Sequence, residues 1–389
     1  MILGVPMALP LREVTALLER LAPLDYAESW DNVGLLLEPE GDRKSPDTAP
    51  SVRRAMLLVD LTEPVLDEAV RRDVDLVVAY HPPIFEPLKR LRATALGERL
   101  IARAARAGIA IYSPHTALDA APDGVNDWLA SAVGPGARKP LGAARRLERD
   151  AAFKLVVFVP IEHVDALRSA LAEAGAGVIG NYTECAYELA GSGSFLGGEN
   201  ANPVVGERGK LERVSETRLE MVCSEAALPR AAEALRRVHP YEEPAWDVYA
   251  LAPKPLPGFG VGRSVELTEA ASFEALVERV KAHVGRSALR VARAERHANG
   301  APLHSVAVCA GSGGGVLAGA SGHDLFLTGE LRHHDVLRAL ARGTSVILCE
   351  HSSSERGYLP LFARRLRDET RGEIEIVLSD ADREPLAIV

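Results

Sequence analysis

Four short apolar runs in this chain each stop at residues able to bind a metal ion or move a proton. Leu76–Tyr80 is followed by His81, and Ile109–Tyr112 by His115 and, four residues on, Asp119. Leu325–Leu327 leads to Glu330, with His333 and His334 behind it, and Ser345–Cys349 leads to Glu350, His351 and Glu355. Imidazole with carboxylate suits zinc, iron or manganese, and a carboxylate can bridge two ions. The reading is a two-metal centre of His81, Asp119, His351 and Glu355 that could generate a hydroxide for hydrolysis. Residues four apart share a helical face, so His351 and Glu355 can address one ion if a helix starts at Ser352 or Ser353. His115 and Asp119 have the same spacing, whereas the adjacent His333 and His334 cannot both face a site. Taken singly, a His after a strand is more often a surface residue, and Glu355 beside Arg356 a solvated ion pair. Four such strand ends at one sheet edge favour a binding site.

Alternating elements supply that edge. Leu11–Leu21 has the apolar spacing of a helix, Ala55–Asp60 reads as a strand, and Thr62 can cap a helix from Glu63 to about Arg72. Strands over 76–80 and 109–112 flank a helix over 95–107, and Asp123 can cap another through Trp128. After a Gly-, Arg- and Pro-rich stretch over 133–150 the pattern changes. Strands at 153–159, 182–187, 217–223 and 246–251, with helices at 164–174 and 228–238, follow the β-α-β-β-α-β order of a ferredoxin-like unit. Between them, 191–200 is Gly-rich, and Pro253, Pro255 and Pro257 suggest a stiff exit linker. Alternation then resumes with a helix over 273–284 that Ser272 can cap. The expected architecture is a discontinuous, mostly parallel α/β domain from residues 1–150 and 255–389, interrupted by an inserted domain over 151–254.

Other motifs carry less chemistry. Gly311–Gly315 joins a strand to a helix and could offer N–H groups to phosphate, but without a P-loop Lys a tight turn is the better reading. Trp30-Asp31-Asn32-Val33-Gly34 reads as a turn. His239-Pro240-Tyr241-Glu242-Glu243-Pro244 reads as a rigid loop, with contact to a substrate or neighbouring subunit as the alternative.

Lys plus Arg total 45 and Asp plus Glu total 54 among 389 residues, a net charge of −9 that argues against broad nucleic-acid binding. No apolar run reaches the length of a membrane span, and Met1–Leu11 lacks the marks of a signal peptide. Cys185, Cys223, Cys309 and Cys349 form no C-x-x-C pair, so neither a disulfide framework nor a thiolate zinc site is expected, and a reduced cytoplasmic location follows.

At these residues the chain resembles the Nif-three-like family, also called the GTP cyclohydrolase 1 type 2 family. The matching stretches are Ser29–Leu35, Tyr80–Phe85, Ser113–Asp119, Thr328–His334 and Glu350–Gly357, in the family's order and spanning nearly the whole chain. The resemblance implies two divalent metal ions per subunit (zinc, iron, manganese or magnesium), held by His81, Asp119, His351 and a bridging Glu355. It also implies a hexameric ring with the site facing an internal cavity, and a PII-like inserted domain. The implied activity opens the guanine imidazole ring of GTP and releases formate; on placement alone, His115 or Glu330 is the proton-transfer candidate. Arg332, Arg356 and the Gly311 loop are candidate contacts for the triphosphate. The alternatives are a metal-binding regulatory or scaffold protein with a ligand-sensing insert, and a different nucleotide hydrolase. Many members have two adjacent His where this chain has Tyr80-His81. Neutral Tyr is a poor ligand, so the ion on His81, His351 and Glu355 is expected to be the tighter one.

Overall fold

The computed structural model of the chain describes residues 8–42, 48–92, 94–146 and 151–387. The apolar Met1–Met7 and residues 147–150 of the Gly-, Arg- and Pro-rich stretch lie outside them. The chain divides into two compact units, Met1–Ala144 with Leu256–Val389, and Arg145–Pro255.

In the first unit, short strands that are apolar on both faces build sheets with cover on both sides, as buried parallel strands do. The five-stranded sheet runs in the order Glu375–Leu378, Arg54–Leu58, Leu76–Ala79, Ala110–Ser113, Gly34–Leu37, and only its last pair is antiparallel. A strand from the end of the chain thus completes a sheet begun near its start. The six-stranded sheet runs Arg290–Ala292, Ser345–Leu348, Leu325–Glu330, Leu303–Ser312, Arg263–Ala271, Gly136–Lys139, and only its two middle pairs beside Leu325–Glu330 are parallel. The single sheet edge expected to gather the polar residues is therefore two edges, one from each sheet. One apolar cluster fills the space between the sheets. It joins Leu57, Val78 and Tyr112 of the first to Val308, Leu327 and Ile347 of the second, with Leu18 and Phe362 from helices.

Several local expectations change. Thr62 precedes the Glu63–Arg71 helix, but its hydroxyl makes no cap bond. Asp123 is itself left-handed (φ 56°), and the helix starts at Val125 after Gly124, where a Cβ would meet the Leu118 carbonyl oxygen at 2.1 Å. Ser272 does cap its helix, accepting from the Ala275 N–H. Gly142–Arg146 pairs with Lys254–Val261, so the Pro-rich stretch is strand rather than linker.

The second unit is a four-stranded sheet in the order Ala186–Leu196, Leu211–Cys223, Phe153–Pro160, Trp246–Ala250. With helices Val164–Glu173 and Leu228–Val238 this is the ferredoxin-like arrangement. Its first hairpin is longer than the sequence suggested. Ala186–Leu196 runs straight through Gly191 and Gly193, because an unbroken antiparallel ladder to Leu211–Met221 outweighs the weak strand preference of glycine.

One buried carboxylate fastens the far end of the chain to the first unit. Glu68, on the Glu63–Arg71 helix, accepts from the Ser379 hydroxyl, the Asp380 and Ala381 amides and the Arg72 guanidinium. Burial alone would raise its pKa, but these donors outweigh burial and hold it at about 2, against an ordinary 4.5. A depressed carboxylate contributes stability above its unfolded pKa, and that contribution is lost as pH falls through the folded value. Glu68→Gln is expected to cost about 2 kcal/mol at pH 7, a difference that shrinks between pH 4.5 and 2. Urea unfolding of both proteins at pH 7 and pH 3 measures it, and an equal gap at both would contradict the assignment.

Candidate metal centre

The Leu76–Ala79 strand delivers Tyr80 and His81, and the neighbouring Arg54–Leu58 strand delivers Asp60 beside them. Across from them, Leu325–Glu330 ends at Glu330 itself. Ser345–Leu348 runs into Glu350, whose left-handed backbone (φ 67°) turns the chain toward His351 and the one-turn helix Ser353–Arg356. Ser352 makes no cap bond. The Ser352 and Ser353 hydroxyls donate to Glu384 instead.

His81, His351 and Glu355 converge, with their ligand atoms all within 4.8 Å of one another. His81 Nε2 lies 3.4 Å from Glu355 Oε2, and His351 Nε2 lies 3.4 Å from Oε1. The other nitrogen of each ring is held by a carboxylate: His81 Nδ1 by Asp60 at 2.9 Å, His351 Nδ1 by Glu330 at 3.0 Å. A carboxylate only accepts, so each Nδ1 carries a proton and each Nε2 turns toward Glu355, the orientation that carboxylate–histidine–metal triads use.

Glu355 is 3% exposed, and its Oε2 makes no hydrogen bond. A buried carboxylate oxygen without a donor is costly, and a cation between Nε2, Nε2 and the carboxylate would satisfy it. Gly311, left-handed at φ 63°, keeps that space open: a Cβ there would stand 2.6 Å from Glu355 Oε1 and 3.3 Å from His351 Nε2. The Gly311 turn thus makes room for the ligands. Burial alone would lower the His81 pKa, but the Asp60 and Glu355 carboxylates outweigh it and lift it to about 10. The site as it stands attracts positive charge at Nε2, as a proton or as a metal ion.

Asp119 stands apart from this trio. It shares the His115–Ala120 helix with His115, and its Oδ1 accepts from the Tyr80 hydroxyl at 2.5 Å. Burial pushes the Asp119 carboxyl up to about 6, and burial with the Asp119 charge pushes the Tyr80 phenol well above its ordinary range. His115 has Nδ1 held by Asp31 at 2.8 Å, and its ring packs 5.4 Å from that of His81. Trp30 and Phe85, both largely exposed, lie 6.0 Å apart between ring centroids, with Trp30 also edge-on to His115. Glu330 is bonded to His351. His333 and His334 are exposed and do not join the trio. Arg356 is paired with Asp382, while Arg332 is exposed. The cysteines are free, three of them buried.

Asp60 and Asp31 were not singled out by the spacing argument. Asp60 ends an apolar run just as His81 does, so the strand-end rule applied evenly would have found it. Asp31 sits in a turn motif, and its partner lies 84 positions away.

A family model for Duf34/NIF3 (NGG1p interacting factor 3) matches residues 9–385. The chain is similar to NIF3-like protein 1 of Bos taurus, 37% identical over 382 residues, covering 97% of this chain and 92% of that protein. It is also similar to the GTP cyclohydrolase 1 type 2 homolog of Halalkalibacterium halodurans, 33% identical over 381 residues, covering 97% and 98%. Among solved structures, a Bacillus cereus protein related to NIF3 aligns at TM-score 0.65 and 29% identity, covering 98% of this chain and 100% of that one. Staphylococcus aureus protein SA1388 shares the fold at TM-score 0.73 and 24% identity, covering 98% and 99%.

Proposed function

The chain belongs to the Duf34/NIF3 family, and from that premise we propose that the strand-end cluster is the metal centre of a hydrolase acting on a nucleotide or related planar heterocycle. The observation that carries this is the pair of imidazoles, each oriented by a carboxylate, turned on a buried and unsatisfied Glu355. The printed names of the bacterial relatives make GTP the first substrate to test.

His81, His351 and Glu355 would hold one divalent ion, and Asp119 with Glu355 a second. When bound, such an ion supplies Lewis acidity and acidifies coordinated water. Asp60 and Glu330 keep the two imidazoles in the tautomer that leaves Nε2 open. His115, fixed by Asp31 at Nδ1 and beside His81, is placed to move a proton at its Nε2. The exposed Trp30 and Phe85 rings offer a base a surface to stack on, and loss of either ring would raise KM more than it lowers kcat. The hexameric ring implied by the resemblance, and the cytoplasmic location read from the cysteines, belong to the same proposal. Among the described residues no helix is long and apolar enough to cross a membrane.

Because Asp119 is occupied by the Tyr80 hydroxyl, one ion per chain should survive dialysis against a weak chelator. Tyr80→His restores the family's more usual pair of imidazoles, and is expected to raise the retained metal toward two ions per chain. Two equally retained ions in the wild type would contradict this account of Tyr80.

Mass-spectrometric product analysis of metal-loaded protein incubated with GTP tests the activity. Formate with dihydroneopterin triphosphate from wild type, absent from Glu355→Ala, supports the cyclohydrolase reading. Unchanged GTP with zinc, iron and manganese alike would remove GTP as the substrate.

A further inference from the structure

A cavity of about 660 Å³ lies in the inserted domain, within the 300–1,000 Å³ typical of small-molecule sites, and the metal centre plays no part in it. Both helices of this domain pack on one face of the sheet, against Leu155, Val157, Leu219 and Met221. The cavity lies on the other face, where Phe158 pairs with Arg218, and Glu216 with Gly191. Residues paired across strands share a face, so Gly191 and Gly193 leave this floor bare. A Cβ on Gly191 would meet nothing closer than the Glu216 carbonyl oxygen at 3.8 Å, while one on Gly193 would strike the Glu216 carboxylate at 2.1 Å. The carboxylate of Glu216 therefore lies across an open glycine surface.

The walls explain the His239–Pro244 motif. His239 Nε2–H donates to the Phe158 carbonyl at 2.9 Å, and Nδ1 accepts from the Tyr241 N–H at 3.1 Å. This pins the loop so that Tyr241 lines the cavity, with its hydroxyl buried beside the Glu216 carboxylate. Glu242 accepts from the Asn202 amide and ties the loop to the segment that closes the opposite wall. The one cation among the lining residues, Arg218, is paired with Glu220 and lies against the Phe158 ring. What remains is an apolar, flat-floored cavity with an excess of carboxylate.

We propose that this face binds a small planar heterocycle with an amidine-type edge, two adjacent N–H donors such as a 2-amino nitrogen heterocycle presents. The bare strand accommodates the plane of the ring, the two Glu216 oxygens accept the paired donors, and Tyr241 supplies a further hydrogen bond. The site is independent of the metal-centre reading.

Titration calorimetry of the full-length protein with 2-aminobenzimidazole tests it, with 2-naphthoate as the flat anionic control. Binding is expected for the wild type and for Glu355→Ala, about tenfold or more weaker in Glu216→Gln, where a charge-assisted pair is lost, and blocked by Gly191→Leu, which fills the floor. No response to 2-naphthoate is expected. The proposal is overturned if 2-aminobenzimidazole gives no heat up to its solubility limit, or if its binding survives both insert variants. Equal binding of 2-naphthoate, or loss of binding in Glu355→Ala, would also overturn it. A change in sedimentation on Gly191→Leu with no probe binding would assign the face to another copy of the chain instead.

Discussion

Glu355→Ala is expected to strip the protein of divalent metal and to lower any metal-dependent turnover by about a thousandfold or more, since Lewis-acid stabilisation is worth several kcal/mol. The chain should remain folded. Among the described residues, Glu355 is the carboxylate that reaches Nε2 of both His81 and His351, so its loss leaves two imidazoles with no anionic ligand between them. Its Oε2 accepts no hydrogen bond and lies 3.4 Å from His81 Nε2, so the buried carboxylate is a cost to the fold that positive charge at Nε2, as a proton or a metal ion, offsets. Losing the carboxylate removes an oxygen without a donor, but forfeits the attraction for a protonated His81 and leaves a small cavity. The variant should therefore remain folded, at a cost of no more than about 3 kcal/mol relative to the metal-free wild type. Elemental analysis beside a urea titration reads both quantities. A variant with full metal content, or one that fails to fold, would show that Glu355 serves the structure.

Arg263→Ala is expected to destabilise the first unit by about 3–5 kcal/mol, because it removes one partner of a buried ion pair. Arg263 is 2% exposed, and its guanidinium makes five hydrogen bonds: two to the Asp127 carboxylate and one each to the carbonyls of Ala121, Gly260 and Gly262. It ties the helix carrying Asp127, and the turn two residues beyond Asp119, to the Arg263–Ala271 strand. Lys has three donors on a point charge and cannot reproduce this fork, so Arg263→Lys should recover only part of the loss. Urea unfolding of the three proteins measures the series. A cost below about 1 kcal/mol for Arg263→Ala would place the pair among the weak surface bridges.

The contrast between these two residues shows what a sequence carries. Glu355 was legible because it lies four residues from His351, after an apolar run, and local spacing encodes local geometry. His81 was legible for the same reason. Arg263 was not, since its Asp127 partner is 136 positions away and nothing near either residue marks the pairing. The same limit hid Asp60 and Asp31, and it disguised Glu330, which orients His351. The expectation of one parallel sheet also predicted that the strand ends would converge, but not that two sheets would supply them, because the order of strands is set by long-range pairing. In the insert, the sequence reading placed a strand at 182–187 and marked 191–200 only as Gly-rich, where the cross-strand ladder carries the strand through to Leu196. Tyr80 was noticed as a departure from a familiar pair. That its hydroxyl would occupy Asp119 follows only from the fold.

Diffraction at the zinc absorption edge, on crystals of the protein soaked in zinc, tests the central claim most directly. The account predicts the strongest anomalous peak between His81 Nε2, His351 Nε2 and Glu355, with ligand distances of about 2.0–2.2 Å, and a weaker one or none at Asp119. A strongest peak on any other set of ligands, or a site left empty in crystals that hold zinc elsewhere, would contradict it.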